Sequence, residues 1–165
     1  MKFAAIALVG ALSAVGAARA VAALEPAPLP RASVQLSGAT ATPSAPASIT
    51  KSRDGHFWAE ANVDGKAVRF LVDTGATIVS LTADDAKRLG VDTAALDYSY
   101  DVITADGHTK AASIKLSSIS IAGAKVADVD ALVVQKGLQT SLLGMSYLGR
   151  LQRFEATPTS LILHP

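Results

Sequence analysis

The stretch Phe70-Leu71-Val72-Asp73-Thr74-Gly75-Ala76-Thr77-Ile78-Val79-Ser80-Leu81 sets a carboxylate and a tight turn between two apolar runs. Short apolar runs bounded by turn residues read as buried strands, which puts Asp73 at the end of one. A lone acid in that position is costly, because burial favours its neutral form unless hydrogen bonds or a second group compensate. Asp and Gly are favoured in strand-ending turns for conformational reasons alone, so the turn needs support from its surroundings before chemistry is assigned to it.

On the N-terminal side, His56 to Val63 alternates roughly, Asp64-Gly65 is a strong hairpin turn, and Lys66 to Val72 returns as the strand that delivers Asp73. On the other side, Ile78 to Leu81 is a short strand and Thr82 caps a helix over Ala83 to Leu89. Asp85 then stands at the third helical position and Gly90 ends the helix. Asp84 and Asp85 fit the helix dipole. Tyr98 to Ala105 and His108 to Leu116 flank Asp106-Gly107 and predict a long hairpin, with further strands at Ser118 to Ile121 and Val126 to Val134. Gln135 to Thr140 reads as a loop and Leu142-Leu143 as a buried strand. Met145 to Leu148 is then a short helix, and Gln152 to Glu155 with Ser160 to Leu163 a terminal hairpin. This punctuation is that of a compact, mainly β domain of short strands with one or two short helices.

Composition narrows the function classes. Half of the 165 residues are hydrophobic and 18% are charged, so a real core is possible, and a net charge of +1 gives no sign of nucleic acid. The chain has no cysteine, which excludes disulfides, thiolate catalysis and Cys-ligated zinc. No metal-spaced cluster, phosphate loop or nucleophilic-serine elbow occurs, so neither metal nor cofactor is expected. Residues 1–20 carry Lys2, an apolar run and Ala18-Arg19-Ala20, the pattern of a secretory signal, with an uncleaved membrane anchor as the alternative. Residues 21–52 are rich in Pro, Ala and Ser and read as a disordered linker. The folded domain is expected over 53–165, in the periplasm or exported, or held at the inner membrane facing the periplasm.

Hydrolysing a peptide without metal or nucleophile needs one group to take a proton from water and another to give one to the carbonyl oxygen or leaving amine. Two carboxyls sharing a proton do both, since held close together they cannot both ionise readily. The chain has no second Asp-Thr-Gly or Asp-Ser-Gly. A two-fold homodimer is the economical source of the second acid. Gly75 allows a turn whose amide approaches the carboxylate, and the Thr74 hydroxyl could bond across the axis.

Gly55-His56-Phe57, Val63-Asp64-Gly65, Val72-Asp73-Thr74-Gly75-Ala76-Thr77, Thr104-Ala105-Asp106-Gly107 and Leu142-Leu143-Gly144-Met145-Ser146-Tyr147-Leu148 occur in that order. Together they resemble the retropepsin-like aspartic proteases of bacteria. The resemblance implies a fold class of mainly β, a single closed lobe that acts as a two-fold homodimer, with Asp73 as catalytic acid/base and Thr74, Gly75 and Ala76 as its supporting loop. It further implies Leu143 and Gly144 behind that loop, and a flap with Thr104, Ala105, Asp106 and Gly107 at its tip. A peptide or protein substrate would bind in extended form between flap and floor. The viral pattern carries Arg-Asp or Arg-Asn after the glycine of the second loop, whereas this chain has Met145-Ser146, so those contacts do not carry over. Trp58, Tyr98, Tyr100 and Tyr147 read as packing rather than specificity residues, and His108 as a solvated turn residue. The rival function is a non-catalytic dimerisation or peptide-binding module of the cell envelope, against which the Asp73 turn speaks.

Overall fold

The computed structural model describes residues 46–165. Strand β1 spans Ala47–Thr50, β2 Trp58–Val63, β3 Lys66–Val72 and β4 Val79–Thr82, followed by helix α1 over Ala83–Leu89. Then come β5 at Tyr100–Thr104, β6 at Gly107–Ile121, β7 at Ala124–Val134 and β8 at Ser141–Leu143. Helix α2, Met145–Leu148, precedes β9 at Arg153–Ala156 and β10 at Ser160–His164.

Seven strands form one sheet in the order β2-β3-β8-β4-β7-β6-β5, and β2 also pairs with β6, which closes the sheet on itself. Closure gives every strand from β2 to β6 a partner on both sides and leaves β5 as the edge. Alternation then fills the inside: Ala59, Ala61 and Val63 of β2 point inward with Val68 and Phe70 of β3, all at most 3% exposed. Tyr147 lies in the same core, and its hydroxyl donates to Ala124 O at 2.8 Å. Burial holds that phenol above its ordinary range.

Local signals explain the turns. Asp64 and Gly65 both take positive φ (49° and 87°), as the tight primed turn requires, and the Asp64 carboxylate also accepts from Ser117 N and Ser118 N. Thr82 Oγ1 accepts from Asp85 N at 3.1 Å and Gly90 ends α1 at φ 95°, as expected from the sequence.

Three expectations are corrected. The linker does not extend to residue 52: Ala47–Thr50 pair antiparallel with β10, because Ala47 and Ile49 bury apolar side chains beside Leu161 and Leu163. The expected signal or anchor and the rest of the linker lie outside the described residues. The strands foreseen at His108 to Leu116 and Ser118 to Ile121 are one strand, β6. At the expected break the ladder to β7 is interrupted, Asp128 takes φ 51°, and the Asp64 carboxylate takes the Ser117 and Ser118 amides instead. The β5–β6 hairpin turns at Ala105-Asp106, not Asp106-Gly107, since Thr104 pairs with Gly107. Of Ala105, Asp106 and Gly107 only Gly107 has positive φ, 107°, which suits a glycine following the turn proper.

Candidate active site

Asp73 leaves the end of β3 with its amide bonded to Leu143 O at 3.2 Å. Its carboxylate oxygen Oδ1 accepts from Gly75 N at 2.8 Å, and its carbonyl accepts from Ala76 N at 3.3 Å, so the turn closes on its own acid. A β-carbon at position 75 would stand 3.1 Å from that same Oδ1, so a side chain there would press on the carboxylate. The acid is only half-buried within a single chain. The expectation of a costly buried carboxylate is corrected on this point: the strand stops at Val72, and the turn carries Asp73 onto the floor of an open cleft.

Strand β8 lies between β3 and β4, parallel to the first and antiparallel to the second, so the chain entering and the chain leaving the Asp73 loop flank it. Gly144 follows at once. A β-carbon on it would lie 2.6 Å from Ile78 O and 2.7 Å from Ala76 O, closer than real β-carbons come, so only glycine lets the two loops approach this far. The first amides of α2 then take the loop's carbonyls: Met145 N bonds Ala76 O at 2.8 Å and Ser146 N bonds Thr77 O at 3.0 Å. Leu143, fully buried, and Gly144 thus sit behind the Asp73 loop. At the start of β8, Ser141 Oγ donates to the buried carboxylate of Asp85 and accepts from Thr82 N, so Asp85 braces α1 against β8 besides facing the helix dipole.

A cleft of about 730 Å³ opens over the loop. Asp73, Gly75, Ala76, Thr77 and Ile78 line its floor and one wall, Val102, Ile103, Thr104 and Ala105 come from the β5–β6 hairpin, and Gly137, Leu138, Gln139 and Thr140 form the facing loop. Among the residues that line it, Asp73 is the sole charged side chain. Of the expected flap tip, Thr104 and Ala105 reach the cleft, whereas Asp106 and Gly107 do not. Asp106 instead accepts from Gln139 Nε2 at 3.0 Å. Thr74 is exposed and outside the cleft lining.

None of Trp58, Tyr98, Tyr100 and Tyr147 lines the cleft. Trp58 stacks under Arg69 at 4.5 Å and donates to Asp54, and His108 is exposed. Two contributors were not foreseen: the loop from Gln135 to Thr140, which the sequence marks only by Gly137, and Ser146, whose hydroxyl accepts from Val79 N and donates to Asp130 O. Among the described residues no group of three or more His, Asp or Glu side chains is placed to hold a metal ion. None of their helices is long and apolar enough to cross a membrane.

Residues 59–150 match the family described as "gag-polyprotein putative aspartyl protease", which spans more than half of the chain. The chain belongs to the retropepsin-like aspartic protease family. Among solved structures, a retropepsin-like aspartic protease from Rickettsia conorii is 41% identical, with a TM-score of 0.66 over 72% of this chain and 89% of that one. The EIAV protease in complex with the inhibitor HBY-793, 19% identical, shares the fold at a TM-score of 0.50 over 61% of this chain and 91% of that one. Uncharacterised proteins of Sinorhizobium and of Rickettsia prowazekii are each 41% identical over 116 residues, 70% of this chain. The chain spans about half the length of these curated relatives. The mainly β lobe with its closed sheet is the fold that the sequence resemblance implies.

Proposed function

We propose that this chain is an aspartic endopeptidase that works as a two-fold homodimer, with Asp73 of each protomer forming one catalytic pair. The observation that carries the reading is the Asp73 carboxylate, oriented by Gly75 N at 2.8 Å on the floor of a cleft that holds no other charged side chain. One carboxylate takes a proton from water as the water attacks the peptide carbonyl, and the protonated partner delivers its proton to the carbonyl oxygen. Collapse of the tetrahedral carbon then breaks the C–N bond as the amine is protonated. The half-exposed position of Asp73 in a single chain suits this, because a second copy would cover it and bring the second acid.

The substrate is a peptide or protein in extended conformation, laid between the β5–β6 hairpin and the floor, where β5 offers an unpaired edge. The signal-like residues 1–20 favour action in the periplasm or outside the cell, or at the inner membrane if that segment is retained.

The test is incubation of the full chain with a mixed peptide library, read by mass spectrometry, for wild type and Asp73→Asn. Wild type is expected to cut and Asp73→Asn not to, with fold and dimer retained, since an amide can neither share the proton nor activate water. Cleavage that survives the substitution refutes the assignment.

A further inference from the structure

The Asp73 loop is held by groups that the catalytic chemistry does not use, and one of them is a side chain. Ser146 Oγ stands at the head of the parallel β4–β7 ladder, where Val79 pairs with Ala131. It accepts from Val79 N at 2.9 Å and donates to Asp130 O at 2.7 Å, so a hydroxyl is inserted between two backbone groups from neighbouring strands. Its own amide takes Thr77 O at 3.0 Å. One residue therefore grips the segment Thr77 to Val79 at both ends, and that segment contributes Thr77 and Ile78 to the cleft wall, four and five residues after Asp73.

We infer that Ser146 is a positioning residue for the proposed peptide cleavage: its hydroxyl sets how far the wall Ala76-Thr77-Ile78 stands from β7 and so shapes the surface on which peptide rests. A hydroxyl has one proton to give and lone pairs to receive, and here it does both. Without it, the Val79 amide and Asp130 carbonyl lose their shared partner, which frees Val79 to move relative to β7 and the wall with it. That loss shifts groups that touch substrate, while the core beneath, with Val79, Leu81 and Val133 fully buried, is unchanged in volume. This inference rests on the protease reading, and its test is built to fail separately from it.

The experiment compares wild-type full chain with Ser146→Ala and Ser146→Thr by steady-state cleavage of a peptide taken from the library and by amide exchange at Val79. Ser146→Ala is expected to raise KM about tenfold with kcat changed less than about threefold, and Ser146→Thr, which keeps the hydroxyl, to restore KM. Exchange at Val79 is expected to quicken about tenfold in Ser146→Ala alone. A residue that served only stability would lower the melting temperature and leave KM of the folded enzyme unchanged. An unaltered KM in Ser146→Ala, or failure of Ser146→Thr to restore it, overturns the inference. If wild type cuts no peptide, the protease reading fails, and unchanged Val79 exchange in Ser146→Ala then rejects the clamp independently.

Discussion

The backbone of Gly144 approaches Ile78 so closely that a β-carbon on Gly144 would lie 2.6 Å from the Ile78 carbonyl oxygen. This contact locks the second loop beneath the Asp73 loop, and no side-chain motion can relieve it, because the atoms it would strike are backbone. Gly144→Ala is therefore expected to destabilise the fold by about 3 kcal/mol through overpacking. Urea unfolding followed by circular dichroism measures this, and a change within error of zero would show that the loops part easily.

If each protomer holds half a site, cleavage depends on association. Specific activity should fall as the protein is diluted through the dimer dissociation constant, since monomers contribute nothing. Sedimentation velocity run beside the assay locates that constant. Strict proportionality of rate to protein across a range where the protein dissociates would contradict a shared site.

The Asp106 to Gln139 hydrogen bond, at 3.0 Å, ties the hairpin tip to the facing loop across the mouth of the cleft. Gly137 reinforces it, since a β-carbon there would stand 3.1 Å from Thr104 Oγ1. Gln139→Ala should leave global stability within about 1 kcal/mol, as expected for one exposed hydrogen bond. Amide exchange at residues 104–107 should nevertheless quicken. Exchange unaltered by the substitution would mean that the tip is held by the turn alone.

Tyr147 gives a pH signature. Its phenol is buried, donates to Ala124 O, and is pushed above its ordinary value of 10.0. The folded state therefore keeps the proton to higher pH than the unfolded state does, and the stabilisation is present below the unfolded value and lost as pH rises beyond it. Tyr147→Phe should cost about 1 kcal/mol at pH about 8, and that difference should shrink or reverse near pH 11. Urea unfolding of both proteins at the two pH values checks the sign.

Features written in contiguous residues were legible before the structure. Asp64-Gly65 demanded its turn, Thr82, Asp85 and Gly90 bounded α1, and Asp73-Thr74-Gly75 with Leu143-Gly144 marked the paired loops. The hairpin tip slipped by one residue because an Asp-Gly pair suits two turns, and only the strand register, Thr104 with Gly107, distinguishes them. Strand β1 hid in a Pro/Ala/Ser-rich stretch because its few apolar side chains find burial beside β10, a strand more than a hundred residues away in the sequence.

The amino-acid order by itself determined a mainly β domain, most of its turns and caps, and the single acid in a tight loop, because each follows from local conformational preference and alternation. Tertiary structure decided which distant groups meet: Ser146 reaches Val79 across 67 positions, Gln139 meets Asp106 across 33, and Asp73 emerges half in solvent rather than buried. Such meetings depend on strand order and register, which arise when apolar faces of many segments are buried together, and no short window of residues encodes that sum.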